Sequence, residues 1–152
     1  MLPGLKSMLN YHPLFVHFPI ALWFAALLFE AMSIWRANED WHRTAIRLLY
    51  LGTLGACAAA FTGWLAQSSV PDQGPVRSVF ELHETLMLIT TSFGAGLCLF
   101  CYAKRAGFTS GARRILLVGL VILAIMTTVG ADRGAQLVYK FATSVNLPDA
   151  AK

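Results

Sequence analysis

Two histidines stand at the start of the first long apolar stretch of the chain, in the run HPLFVHFPIALW from His12 to Trp23. A third histidine, His83, stands near the start of a later apolar stretch. Imidazole is a common ligand of haem iron and of transition metals. Ionisable side chains are rare in membrane segments, where they usually have a partner. The residue types therefore predict a haem or metal site where the fold brings these histidines together.

The composition places these histidines in a membrane protein. Hydrophobic residues make up 57% of the 152 residues and charged residues only 13%, against roughly 25% in a typical soluble domain. The mean hydropathy is +0.59. The net charge is +4, but no basic run with interleaved aromatic residues occurs, which excludes the common nucleic-acid-binding classes. We expect a multi-pass membrane protein in contact with the lipid bilayer.

Four apolar stretches are each near the roughly 20 residues that cross a bilayer. They predict an all-α, integral membrane four-helix bundle in up-down-up-down order, forming a single domain over residues 1–152. The predicted helices cover about residues 13–35, 41–66, 79–103 and 111–141, and Pro13 suits the first position of a helix. No internal repeat is visible in the residue identities. No cleavable signal peptide is expected, because the first apolar stretch is long enough to span the membrane.

The distribution of basic residues predicts the orientation. Cytoplasmic loops carry an excess of lysine and arginine. Seven of the twelve basic residues fall in or beside the first and third connectors: Arg36, Arg43, Arg47, Lys104, Arg105, Arg113 and Arg114. Both termini are therefore predicted to be periplasmic, on the same side as the starts of the first and third helices.

Two of the histidines are predicted to lie at matched depth. His17 and His83 are each roughly 5–8 Å inside their helix starts, at a rise of 1.5 Å per residue. A b-type haem needs two axial ligands on opposite faces of a flat ring. We expect His17 and His83 to be these ligands, with His12 as a reserve ligand or propionate partner. The cations predicted to bind the propionates are Arg77, Arg133 and Lys140.

A stripe of small residues on the second helix supports close approach of a flat ligand or of another helix. Gly55, Ala59 and Gly63 recur every fourth residue and so lie on one helix face.

Other ligand sets stay open. Met87 or Met8 could replace one histidine as a haem ligand. A transition-metal site could instead combine the histidines with a carboxylate, the candidates being His12, His17, His83, Glu84 and Asp132. Against this set, His12 and His17 are separated by about 140° around a regular helix.

The remaining polar residues are interpreted as structural. His42, in a charged connector, is expected to be solvated on the cytoplasmic side. Glu30 is expected to pair with Arg47 or Arg36 near that side, and a proton relay stays open as an alternative. The three cysteines, Cys57, Cys98 and Cys101, lie in apolar segments and are expected to be free packing residues. Tyr102 follows the CxxC motif where covalent c-type haem attachment needs a histidine.

The opening run resembles the HPxxVHFPIAL start of a bacterial membrane family, the domain of unknown function 2231. Members have four helices and a histidine near the start of the third, matched here by His83 in the run ELHE. The segment GAQLVY, Gly134 to Tyr139, is similar to the GGxLVY-like motif of the family. The family often occurs beside, or fused to, c-type cytochrome modules. The resemblance implies periplasmic redox traffic.

These observations predict a small b-type cytochrome with no catalytic activity of its own. It would work as one subunit of a larger membrane redox complex and hold haem b. Electrons would pass between a periplasmic partner, such as a c-type cytochrome, and quinone or another redox protein. The alternative is a non-redox assembly or anchor subunit, or a periplasmic-side transition-metal-binding protein.

Overall fold

Four long helices make up the fold. The computed structural model describes residues 11–143, the side chain of Ser69 excepted. The helices are α1 (His12–Arg36), α2 (Glu39–Ala66), α3 (Pro75–Ala103) and α4 (Ser110–Tyr139), with a 3-10 turn at Gln67–Ser69 after α2. Each of the four is long and apolar enough to cross a membrane. The all-α class is confirmed, and the described range contains no strand.

Local sequence signals set the helix starts. The Asn38 side chain accepts the Trp41 N–H at 3.1 Å to cap α2, and Thr109 accepts the Ala112 N–H at 3.2 Å to cap α4. The third helix begins at Pro75, one turn before the predicted start. Proline suits the first turn of a helix, and Gly74 before it takes a φ of 95°, which favours glycine.

The helices form a closed ring in which α1 contacts α2 and α4, and α3 contacts α2 and α4. The core is built mainly from Trp23 and from leucines such as Leu49 and Leu120, all of them almost fully buried. Large apolar side chains also point outward, and Leu54 and Leu99 are each 69% exposed. An apolar exterior on spanning helices contacts the lipid bilayer.

Burial reveals a repeat that the residue identities do not show. Many buried residues of the hairpin α1–α2 have a buried counterpart in the hairpin α3–α4. Each counterpart lies the same number of residues further along the chain. Four such pairs on α1 and α3 are Pro19/Thr90, Trp23/Gly94, Ala26/Leu97 and Glu30/Cys101. Six on α2 and α4 are Ala45/Leu116, Leu49/Leu120, Gly52/Leu123, Thr53/Ala124, Ala56/Thr127 and Ala59/Gly130. The capping residues Asn38 and Thr109 obey the same offset.

Candidate functional site

His12 is held between the two helices of the first hairpin. Its Nδ1 lies 3.0 Å from the Ala59 carbonyl oxygen of α2 and 3.4 Å from the Thr62 hydroxyl. A methyl group built on Gly63 would lie 3.1 Å from the imidazole Cε1. The predicted stripe of small residues on α2 therefore lies against α1, and it gives the His12 ring its space.

His83 is held in the same way in the second hairpin. Its Nδ1 lies 2.8 Å from the Gly130 carbonyl oxygen of α4, and a methyl group built on Gly134 would lie 3.0 Å from its Cε1. In both hairpins the histidine and its carbonyl partner are 47 residues apart. The two sites are thus equivalent positions of the repeat, at the end of the bundle where α1 and α3 begin. We call this the histidine end, and the opposite end the connector end.

The two anchored imidazoles lie close enough for their charges to interact. A carbonyl oxygen only accepts hydrogen bonds, so each Nδ1 carries the proton that it donates. In the neutral imidazole the lone pair is then on Nε2, which is the tautomer of a metal-ligating histidine whose second nitrogen is anchored. The arrangement can supply two equivalent nitrogen ligands.

His17 lies apart from this pair. Its Nδ1 donates to the Pro13 carbonyl of its own helix at 2.9 Å, and the side chain is exposed on the outer surface of the bundle. It lines a shallow apolar hollow of about 270 Å³ with Phe18, Ala21 and Leu22. No hydrogen bond, ion pair or electrostatic interaction joins His17 to His83 within residues 11–143. The structure brings His83 together with His12, the residue that the sequence placed in reserve.

The three predicted propionate partners all lie at the histidine end. Arg77 pairs with Glu81 at 2.8 Å. Arg133 contacts Gln136 at 3.4 Å and Asp132 at 3.8 Å. Lys140 lies over the Phe141 ring, with Nζ 5.4 Å from the ring centroid. An open groove of about 620 Å³ runs along this end of α4, lined by Asp132, Arg133, Ala135, Gln136, Tyr139 and Lys140.

A multi-ligand metal site is not assembled in the part of the chain that the structure describes. There, no three His, Cys, Asp or Glu side chains are grouped so as to hold a metal ion. Met87 packs against Gly130, beside the carbonyl that holds His83. Met8, the other methionine proposed as a ligand, lies outside the described residues.

The connector end holds a polar pair that the sequence analysis missed. His42 Nδ1 lies 2.7 Å from Glu30 Oε2, and the two residues are 1% and 0% exposed. The predictions of a solvated His42 and of a Glu30 ion pair with Arg47 or Arg36 are therefore wrong. Because α2 begins at Glu39, His42 lies in its first turn, on the buried face that continues through Ala45.

This pair is enclosed by neighbours from other elements. The Phe108 ring, in the α3–α4 connector, packs against the His42 imidazole in a T-shape, with centroids 4.5 Å apart. The buried Cys101 thiol of α3 is within electrostatic range of Glu30. Glu30 Oε1 and His42 Nε2 have no hydrogen-bond partner among the described residues. All three cysteines are free.

A sequence signal for this pair exists in the helical spacing. Trp23, Ala26, Glu30 and Ser33 follow one another at intervals of three or four residues, and so do His42, Ala45 and Leu49. Such spacing marks one helix face. The polar residues at its end belong to the buried face, although the neighbouring residues along the chain are charged.

A family model described as "Predicted membrane protein (DUF2231)" matches residues 8–147 of the chain. No curated protein matches the chain, and no solved structure matches it.

Proposed function

The chain belongs to this family of predicted membrane proteins, and from that premise we propose that it is an electron-transfer subunit. It would hold one b-type haem at the histidine end, between His12 and His83. These two replace the pair of His17 and His83 that the helix depths had predicted.

One observation carries this proposal: the equivalence of the two anchored imidazoles. His12 and His83 occupy matching positions of the repeat, and each donates Nδ1–H to a carbonyl of the neighbouring helix. A haem iron held by two histidines takes one imidazole on each face of the ring. A two-fold repeat supplies such a pair, because whatever orients one ring also orients the other.

Two features of the surroundings support a haem at this end. Anchoring through Nδ1 directs Nε2 to be the ligating nitrogen, and such second partners orient a ligand and raise its basicity. Val70, Phe80 and Leu137 form a buried apolar cluster at the same end, which suits an apolar macrocycle. When bound, the haem would supply one-electron redox chemistry. The residues of this chain would hold it, orient it and exclude water.

The charge distribution supports one orientation of the protein in the membrane. The basic residues concentrated at the connector end favour a cytoplasmic connector end and a periplasmic histidine end in a bacterial inner membrane. Arg77, Arg133 and Lys140 would then lie at the periplasmic surface, where propionates need cations. Electrons would pass between a periplasmic partner, such as a c-type cytochrome, and quinone or another redox protein.

The test is the absorption spectrum of the purified protein and of four histidine variants. The wild-type protein should show a reducible b-type haem spectrum. His12→Ala and His83→Ala should each remove or severely disturb it. His17→Ala and His42→Ala are the matched controls and should leave it unchanged. A colourless wild-type protein overturns the proposal, and loss of the spectrum in His17→Ala but not in His12→Ala overturns the ligand pair.

A second measurement uses the two glycines that face the imidazoles. A methyl group at Gly63 or at Gly134 would lie 3.1 or 3.0 Å from the histidine ring, so either substitution to alanine pushes a ligand out of place. Disturbing a ligand's supporting contacts typically costs about 10–100-fold in metal affinity. Both variants should lose haem affinity by similar factors. Gly96→Ala is the control, because a methyl group there meets no atom within 4 Å.

A non-redox anchor role is the alternative, favoured by one feature of the same contacts. The bonds from His12 and His83 to Ala59 and Gly130 tie together the helices of each hairpin. In that case the protein is colourless, and His12→Ala and His83→Ala act only by lowering the thermal stability of the bundle.

A further inference from the structure

The pair of Glu30 and His42 is a second polar site, separated from the histidine end by most of the length of the bundle. Glu30 lies near the end of α1 and His42 in the first turn of α2. Their side chains are 0% and 2% exposed and meet at 2.7 Å. The contact therefore lies inside the bundle, although both residues are only one or two helical turns from the connectors.

Each partner keeps one polar atom for which the described residues offer no bond. These atoms are Glu30 Oε1 and His42 Nε2. Buried polar groups nearly always have a partner, and an exception calls for a bound species or a functional role. A carboxylate oxygen and an imidazole nitrogen are also the two commonest proton-exchanging groups of proteins near neutral pH.

The chemistry of the surroundings selects the ligand. A metal ion needs more donors than this pair supplies, and residues 11–143 contain no group of three suitable side chains. The Cys101 thiol of α3 lies within electrostatic range of Glu30, and the same end of the bundle carries two charges at the helix starts. These charges belong to Arg113 of α4 and Glu39 of α2, which neutralise each other in an ion pair. Asp40 and Arg43, the charged neighbours of His42 along α2, are exposed and pair with each other at 3.0 Å.

We propose that Glu30 and His42 form a proton-binding site that exchanges one proton with water at the connector end of the bundle. In the loaded state the imidazolium carries protons on both nitrogens and donates Nδ1–H to the Glu30 carboxylate. Loss of the Nε2 proton to water leaves a neutral imidazole that still donates Nδ1–H to the carboxylate. One proton leaves, the net charge of the pair changes from zero to −1, and the bond between the partners persists.

Phe108 covers the His42 imidazole on the side of the α3–α4 connector. Its ring packs against the imidazole at 4.5 Å and against the Phe100 ring at 6.1 Å. It belongs to a connector in which residues 103–107 are exposed. The route of exchange that this contact suggests is an outward movement of Phe108.

The experiment follows the His42 nitrogens by NMR in the full chain, labelled with ¹⁵N-histidine and held in lipid nanodiscs. The His42 signals are assigned by elimination, from the spectra of His12→Ala, His17→Ala and His83→Ala. As the pH of the sample is raised, the Nε2 signal should pass from its protonated to its unprotonated position. The Nδ1 signal should stay protonated throughout.

Two carboxylate variants show whether the pair is the site. Glu30→Gln should abolish the transition, because a neutral amide does not hold a buried imidazolium. Glu81→Gln removes an exposed carboxylate at the other end and should leave the transition intact. A wild-type Nε2 signal that does not respond to pH overturns the proposal, and so does a Glu30→Gln variant whose Nε2 signal responds like that of the wild type.

Phe108→Ala tests the access route without touching either partner. Exchange of the His42 Nε2 proton with solvent should become about tenfold faster or more, as for other sites protected by a local closed state. Phe61→Ala, which removes an exposed ring, should leave the exchange rate unchanged. An unchanged rate in Phe108→Ala overturns the assigned route. None of these readouts needs a bound haem, so they stand or fall separately from the electron-transfer proposal.

Discussion

The two hairpins are alike at one end of the bundle and different at the other. At the histidine end each hairpin holds an imidazole on a carbonyl of its second helix, His12 on Ala59 and His83 on Gly130. At the connector end the first hairpin buries Glu30 against His42. The corresponding positions of the second hairpin hold Cys101 and Arg113, which form no such pair within the described residues.

This difference distinguishes two kinds of site that the same fold can hold. A feature that appears in both hairpins suits a ligand shared across the centre of the bundle, such as a flat ring with two equivalent faces. A feature that appears in only one hairpin suits a site that lies within that hairpin. In the second hairpin Arg113 instead reaches across to Glu39 of the first, so the unmatched residues also join the hairpins.

The middle of the bundle shows how two similar hairpins fill one core. Trp23 of the first hairpin corresponds to Gly94 of the second, and the indole lies against that glycine. A methyl group on Gly94 would lie 3.0 Å from Trp23 Cζ2, and one on Gly52 would lie 2.7 Å from Cδ1. One large side chain thus occupies the space that two equivalent medium-sized ones would share.

The largest effect on stability should come from breaking the Glu30–His42 pair, which has no counterpart in the second hairpin. Glu30→Leu leaves His42 buried without its partner, and removing one member of a buried ion pair costs about 3–5 kcal/mol. Glu39→Leu breaks the more exposed pair with Arg113 and should cost about 0–1 kcal/mol. Thermal unfolding in detergent, followed by circular dichroism, measures both.

The double variant Glu30→Leu/His42→Phe sharpens this result. Replacing both partners by apolar groups removes the uncompensated charge, and such replacements are often neutral or stabilising. We expect the double variant to recover most of the stability that Glu30→Leu loses. If Glu30→Leu and His42→Phe, each made alone, cost less than about 1 kcal/mol, the pair is not the buried contact described above.

A smaller effect should follow from filling the space beside the indole. Gly52→Ala and Gly94→Ala each place a methyl group against Trp23, and overpacking a core typically costs about 1–3 kcal/mol. Gly96→Ala, on an open part of α3, should instead be neutral or stabilise by up to about 1 kcal/mol through helix propensity. Equal behaviour of Gly94→Ala and Gly96→Ala would show that Trp23 does not fill this space. Unfolding midpoints of the three variants decide the matter.

Much of the architecture could be predicted from the sequence, because apolar stretches of spanning length leave the backbone few alternatives to a helix. The candidate site at the histidine end was harder to predict. His17 and His83 were paired on depth alone, and depth does not say which side of a helix a residue occupies. His12, which the sequence analysis gave as a reserve ligand or propionate partner beside the helix start at Pro13, makes its contacts through the close approach of Ala59 and Gly63.

The buried pair and the repeat were missed for related physical reasons. Next to Asp40 and Arg43 the chain looks solvated, but a helix places His42 on a different face from these two charges. The repeat is hidden because packing constrains the summed volume across the core rather than each residue. Trp23 and Gly94 can therefore hold equivalent positions without any similarity, and Glu30 and Cys101 likewise.

The smallest predicted effect tests whether the hairpins are equivalent where neither carries a special site. Asn38 and Thr109 cap α2 and α4 at matching positions. Each side-chain oxygen accepts the backbone N–H three residues further along the chain, at 3.1 and 3.2 Å. Replacing such a cap by alanine costs about 1 kcal/mol. Asn38→Ala and Thr109→Ala should therefore lower the unfolding free energy by similar amounts, and the double variant by their sum, because distant sites act independently. If only Thr109→Ala destabilises the bundle, the Glu30–His42 contact holds the start of α2 without its cap, and the asymmetry of the connector end extends to its caps.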